Sequence, residues 1–161
     1  MSKKDIVKYL QKLLNKYVGS ALTVDGIFGA KTEDVLDDEF NQKPHTKNFS
    51  YEEFRCKDGT YPPKKYWAKL QELMDKLENL RTLLGDHAIT INSGYRTYKY
   101  NRKIGGAFRS RHMYADAADI SVEGVIPSKV YSIANVLFKN GGVGKYNTFT
   151  HVDVRGYCAR W

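Results

Sequence analysis

The stretch Phe149-Thr-His-Val-Asp-Val154 alternates with a period of two, which throws Phe149, His151 and Asp153 onto one face of a strand and Thr150, Val152 and Val154 onto the other. A strand that carries an imidazole and a carboxylate side by side commits one face to polar chemistry. About forty residues earlier, Ser110-Arg-His-Met-Tyr-Ala-Asp-Ala-Ala-Asp119 offers a second imidazole and further carboxylates. His112 and Asp119 are seven residues apart, too far for neighbouring turns of one helix, so the chain between them must be irregular. Small residues, Ala115 to Ala118, allow backbone to pass close to a buried centre before Asp119 enters the strand-like Ala118-Asp-Ile-Ser-Val122. Two imidazoles, His112 and His151, and several carboxylates, Asp119 among them, are therefore available for a three-ligand set. With a fourth position left to water, such a set has the open coordination that separates catalytic from structural zinc. On spacing alone, the same residues are also compatible with two ordinary core or surface histidines.

Resemblance narrows that choice. Ser-x-His, six residues, then Asp, with a later His, resembles the signature of the M15 zinc peptidases, the family of D-alanyl-D-alanine carboxypeptidases and phage L-alanyl-D-glutamate endolysins. Asn92-Ser-Gly-Tyr-Arg-Thr97 resembles that family's Ser-Gly-Tyr-Arg turn, and Asn101 to Ser110 resembles the glycine-containing stretch that leads into its zinc motif. Gly141-Gly-Val-Gly-Lys-Tyr146, Asp153-Val-Arg-Gly156 and Arg160-Trp161 are similar to the strand-turn-strand that delivers the second histidine. The likeness covers residues 48 to 161, with the motifs in one order.

The resemblance implies Zn2+ held by His112, Asp119 and His151, lowering the pKa of water and polarising a scissile carbonyl. It also places Arg96 over the active site, where an always-charged fork of donors suits a substrate carboxylate or a developing oxyanion. Ser110 is a candidate to bond a ligand or the substrate, with ordinary turn chemistry as the alternative. Many family members carry an acid three residues before the second zinc histidine, but here Thr148 stands there and cannot take a proton from water. Asp153 is the nearest acidic candidate for general base, and orientation of the His151 ring is an equally open role. Asp116 is expected to be a solvated loop carboxylate beside basic neighbours.

The first forty residues carry a second signal. Ile6, Val7, Leu10, Leu13 and Leu14 form one apolar stripe at helical spacing. A turn, Leu22-Thr-Val-Asp-Gly-Ile-Phe-Gly29, follows, and then a second helical stretch from Ala30 to Phe40 containing Lys31 and Thr32. This pattern resembles the peptidoglycan-binding module of cell-wall hydrolases, although a helical hairpin that only caps the larger domain is the plainer reading. Residues 41–48, polar and with one proline, read as a linker, His45 included. The expected organisation is a module at 1–40, the linker, and a zinc peptidase domain at 49–161.

Within that domain, Ser50 three before Glu53 is a capping-box pattern. Tyr66, Leu70, Leu73, Leu77, Leu80 and Leu84 then mark a core-facing helix that stops at Gly85. His87 lies in the turn before a strand, Ala88 to Asn92. Pro127 opens a helix from Ser128 to Asn140 with Val130, Ile133, Ala134 and Leu137 on its apolar face. The fold class expected is α+β: a small antiparallel sheet, bearing the zinc ligands, with helices packed on one face, preceded by the short helical module.

At 161 residues the chain accommodates one good core and a small appended unit. No long apolar run is present, which excludes a transmembrane helix, and Met1-Ser-Lys-Lys4 leads into an amphipathic helix rather than a signal-peptide core. Synthesis in the cytoplasm and action at the bacterial cell wall are expected, as in phage lysis, with the protein a monomer. Cys56 and Cys158 alone do not indicate a disulfide framework. A net charge of +8 favours anionic partners such as the carboxylates and phosphates of a cell wall. It also admits nucleic acid, because six arginines and lysines between Arg96 and Arg111 interleave with aromatic residues, but no nucleic-acid motif accompanies them and none is expected to bind. A metal-containing wall-binding protein without catalysis is the remaining alternative, suggested by Thr148.

Overall fold

Local start signals set the first helix. Ser2 accepts from the Asp5 backbone through Oγ at 3.1 Å, and Asp5 Oδ2 accepts from the Ser2 backbone at 3.0 Å. That capping box opens α1, Lys3–Tyr17. The computed structural model describes residues 1–40 and 43–161, so Asn41 and Gln42, the start of the expected linker, lie outside the described residues. Two units emerge, Met1–Lys43 and Pro44–Trp161.

In the first unit the apolar stripe of α1 is narrower than its spacing predicts. Val7 and Leu14 are buried, but Ile6 is 54% exposed, and the centre of the buried face is Gln11. Its amide donates to Asp25 Oδ1, the Ile27 carbonyl and Thr32 Oγ1 at 3.0 to 3.2 Å, and its oxygen accepts from Gly26 N at 3.0 Å. Asn15 holds Leu22 through both backbone groups. Two amide side chains therefore string the Leu22 to Gly29 turn onto α1 and lead it into α2, Ala30–Phe40. A small unit with little apolar area uses a satisfied polar hub instead, which binary patterning does not reveal.

The second unit begins earlier than its polar sequence suggests. Pro44 is buried, and Glu78 accepts from Thr46 Oγ1 at 2.6 Å and from the Asn48 backbone at 2.7 Å. Residues 44–48 are thus fastened to α3, Trp67–Leu83, rather than free as a linker. The Ser50 capping box opens a single 3-10 turn, Tyr51–Phe54. Leu70, Leu73, Met74, Leu77 and Leu80 of α3 are fully buried, and the helix stops where Gly85 takes φ +83°. Leu77→Ala should cost about 2–5 kcal/mol, the usual range for a buried leucine, measured by denaturant unfolding. A change under 1 kcal/mol would mean that α3 is not the core helix.

Beyond α3 come β1 (Ile89–Ser93), α4 (Tyr98–Lys103), a 3-10 turn at Arg111–Tyr114, β2 (Ala117–Val122), α5 (Pro127–Leu137), β3 (Gly142–Lys145), β4 (Thr150–Asp153) and β5 (Ala159–Arg160). The sheet order is β1-β2-β4-β3-β5. All pairings are antiparallel except the short β5, which lies parallel to β3. This is the expected α+β arrangement with one parallel edge added. Ala118, Ile120, Val122, Val143, Val152 and Val154 join α3 and α5 in the core. By the pleat, Asp119 and His151 then face away from the helices. No helix among the described residues is long and apolar enough to cross a membrane.

Candidate metal centre

Sheet register places the first two candidate ligands side by side. Asp119 pairs with His151 across β2 and β4, Ser93 pairs with Asp119 from β1, and Gly144 pairs with His151 from β3. One row across four strands therefore reads Ser93, Asp119, His151, Gly144. The third ligand arrives from the irregular segment. His112 sits in the Arg111–Tyr114 turn, and Ala115, left-handed at φ 53°, swings the chain into β2. Short backbone ties hold that loop in place, with Arg96 N donating to the His112 carbonyl at 3.0 Å.

All three side chains are buried, and one ligand atom from each falls within 4.8 Å of the others. His151 Nδ1 lies 2.8 Å and His112 Nε2 3.2 Å from Asp119 Oδ1, with 3.3 Å between the two nitrogens. The tautomers follow from the outer contacts. His112 Nδ1 is 2.6 Å from the Gly94 carbonyl, which can only accept, so the proton is on Nδ1 and Nε2 keeps its lone pair. His151 Nε2 is 3.1 Å from Asp153 Oδ2, which fixes the proton there and leaves the lone pair on Nδ1. Three lone-pair donors thus converge on one point, an arrangement that repels itself unless a cation sits among them. Two imidazoles and a carboxylate are a donor set that suits zinc and leaves a position open.

Electrostatics agree. Burial raises the Asp119 carboxyl, but the two imidazoles beside it, His112 and His151, outweigh that and hold the pKa well below the usual carboxylate range. Burial lowers the pKa of His151, yet Asp119 and Asp153 on its two sides outweigh that and raise it. His112 shifts the other way, its pKa lowered chiefly by burial, which keeps the ring neutral and its Nε2 lone pair available to a cation.

The ligands open onto a cleft of about 430 Å³ lined also by Arg96, Ser110, Arg155, Tyr146 and Trp161. Arg96 donates to Asp119 Oδ2 at 2.6 Å and to Ser93 Oγ at 2.9 Å, which fixes its fork beside the donor set. Ser110 lines the cleft, and its hydroxyl makes no hydrogen bond among the described residues. Asp153 does not reach the cleft. It is 0% exposed, and its two oxygens are occupied by His151, the Gly142 and Arg155 backbones and the Arg155 guanidinium. Burial raises its pKa, but those partners win and hold it far below the ordinary range, so it is a poor proton acceptor. Asp116 differs from its expected solvated state: it is buried against Arg111, away from the cleft lining. Thr148 is exposed in the β3–β4 turn.

Sequence reasoning missed Arg155, whose ion pair spans only two residues at the end of β4, and Gly94, whose contribution is a backbone carbonyl. It also missed how Trp161 is seated. The indole lies 5.1 Å from the His151 ring and donates to Tyr146 OH at 2.9 Å, and it fits because Gly144 has no side chain there.

The peptidase M15 family model matches residues 47–153, which include every one of these ligands. The chain belongs to the peptidase M15 family. A zinc D-Ala-D-Ala carboxypeptidase from Streptomyces albus G is 36% identical over 104 residues, which are 62% of this chain and 41% of that protein. This M15 chain therefore matches well under two thirds of that relative's length.

Gly142 offers a test of how the family site is braced. A Cβ there would meet Asp153 Oδ2 at 2.1 Å, and that carboxylate is pinned on every side. Gly142→Ala should displace Asp153 from His151 and weaken zinc binding by about tenfold or more, the usual effect of losing an outer partner. Competition with a chromophoric chelator measures it; unchanged affinity would mean that Asp153 does not brace the site.

Proposed function

We propose that this chain is a zinc-dependent peptidase that hydrolyses amide bonds in the stem peptides or crosslinks of peptidoglycan. The observation that carries the proposal is the convergence of three lone-pair donors, His112 Nε2, Asp119 Oδ1 and His151 Nδ1, at the floor of an open cleft. Zinc bound there supplies a Lewis acid for the scissile carbonyl and acidity for water. Arg96, its guanidinium fixed by Asp119 and Ser93, turns its remaining N–H groups to a substrate carboxylate or to charge developing on the carbonyl oxygen. Ser110 supplies a hydroxyl to the bound peptide. Asp153, backed by Arg155, orients His151.

The name of the Streptomyces relative supports a wall peptide as substrate, and the chain's +8 charge suits an anionic wall. On this reading the protein acts at the bacterial cell wall as a monomeric lytic enzyme of the phage endolysin type, and the unit at residues 1–40 binds peptidoglycan. The turn at Leu22 to Gly29, with Ile27 and Phe28 exposed beside a pocket formed with Gln11 and Thr32, gives that unit a surface for the polymer.

One observation favours a second reading. Asp119 is the only acid lining the cleft among the described residues, so no uncommitted carboxylate stands ready as a general base. A metal-containing wall-binding protein without catalysis would have that property. Mass spectrometry of fragments released from purified peptidoglycan, with and without chelator and with zinc restored, separates the two. Chelator-sensitive peptide fragments support the peptidase and name the bond. Walls that bind the protein but stay intact with zinc present support the second reading.

A further inference from the structure

Four arginines line the metal cleft: Arg96, Arg109, Arg111 and Arg155. Three are committed to buried carboxylates, Arg96 to Asp119, Arg111 to Asp116 and Arg155 to Asp153. Arg109 is not. It is exposed, and its guanidinium makes no ion pair or hydrogen bond among the described residues. An unpaired surface arginine on a mobile stalk would mean little. Its backbone, however, is built to hold position.

Asn101, 1% exposed, lies beneath the loop that carries Arg109. Its backbone carbonyl accepts from Gly106 N at 2.9 Å and its Nδ2 donates to the Ala107 carbonyl at 2.9 Å. Ser110 N closes the loop onto the same Ala107 carbonyl at 3.0 Å. Gly106 sits so close over the Asn101 amide that a Cβ would fall 2.2 Å from Oδ1. The loop is thus packed down from inside, with Phe108 78% exposed and the neighbouring Arg109 lining the cleft.

Charge completes the picture. Each of these three arginines is balanced by its own aspartate, so among the described residues Arg109 is the unbalanced arginine of the cleft, beside a sequence from Arg96 to Arg111 that contains no acid. A planar fork of five donors on a fixed loop fits a carboxylate in two-point contact. A cleft of about 430 Å³ is of the size that holds a few residues of peptide.

We propose that Arg109 is a specificity-determining residue that pairs with a carboxylate of the substrate peptide, so that the cleft selects anionic peptides over their amidated counterparts. This rests on the peptidase reading for the nature of the ligand. Two carboxylates of a stem peptide qualify, one on a residue within the peptide and one at its C-terminus, and both present the same chemistry to the fork.

The test uses the full zinc-loaded chain and three fluorophore-labelled synthetic stem peptides: the parent with both carboxylates free, one with the internal carboxylate as carboxamide, and one with the C-terminal carboxylate as carboxamide. Binding is read by anisotropy in the first second after mixing, before turnover. Wild type should lose about tenfold in affinity for one of the two amides, the scale of a charge-assisted hydrogen-bonded contact. Arg109→Ala should bind the parent and that amide alike, and Arg109→Lys should keep part of the discrimination. Which amide is penalised identifies the carboxylate. Equal binding of all three peptides by wild type, no binding of the parent, or the same penalty in Arg109→Ala would overturn the proposal. So would an Arg109→Ala chain that keeps its peptide discrimination while losing a wall phosphodiester polymer. Cleavage of the parent peptide by wild type, followed separately by mass spectrometry, judges the peptidase reading whatever Arg109 does.

Discussion

Asp119→Ala should abolish stoichiometric zinc and reduce peptide hydrolysis by on the order of 10³-fold or more, because the metal's Lewis acidity is worth several kcal/mol of barrier. Asp119 is the centre of the donor set: its Oδ1 faces both imidazoles, and its Oδ2 holds Arg96. Loss of the carboxylate removes a ligand and the negative charge that favours a cation, and it frees the Arg96 fork in the same step. Asp119→Asn preserves the volume and serves as the control for folding, checked by circular dichroism. It should fold like wild type and still bind zinc weakly. Retention of one tight zinc per chain by the alanine variant would show that the metal is held elsewhere.

The second large effect belongs to Asp153→Asn, and it separates two roles that the sequence leaves equal. A carboxylate at this position orients His151 by accepting from Nε2, and it answers the Arg155 guanidinium. Asparagine keeps the shape but weakens both contacts, so zinc affinity should fall by about 10- to 100-fold. The partly buried Arg155 also loses its counter-charge, which should lower stability by up to about 3–5 kcal/mol, the range for breaking a buried pair. Hydrolysis measured at saturating zinc distinguishes the roles. Recovery to within about tenfold of wild type fits an orienting residue, since general base catalysis contributes about 10²–10⁴-fold. A rate that stays depressed with zinc fully bound would make Asp153 the base despite its burial.

Several parts of this molecule were legible in the sequence because they repeat or punctuate. The leucines of α3 recur at helical intervals and end at a glycine whose positive φ does what the residue type suggests. The alternation of Phe149 to Val154 gives β4 its two faces, and the gap between His112 and Asp119 becomes a 3-10 turn closed by a left-handed alanine. The His112, Asp119 and His151 set was readable through a family motif, and the register of β2 against β4 is what makes two of the three neighbours.

Other parts depend on contacts that no periodicity encodes. Gly94 contributes a carbonyl, and Asp153 turns inward because Gly142 has no side chain to block it. Arg155 enters the sequence reading only inside the Asp153-Val-Arg-Gly156 motif, and its partner appears once the end of β4 folds it back on Asp153. Gln11 looks like a polar residue on an apolar stripe, yet it is the hub of its unit, whereas Ile6, which fits the stripe, is exposed. Pro44 to Asn48 has linker composition and is docked by two side chains of α3, Gln71 on both backbone groups of His45 and Glu78 on Thr46 and Asn48. In each case a polar side chain finds its partner through tertiary structure, and amphipathic patterning records only where apolar surface goes.

Zinc K-edge X-ray absorption of the purified full chain tests the metal centre most directly. One zinc per chain, with two imidazoles and only light-atom ligands at about 2.0–2.2 Å, is the result that His112, Asp119 and His151 predict. A sulfur shell near 2.3 Å would instead bring in Cys56 or Cys158, and a protein that takes up no zinc would remove the metal centre altogether.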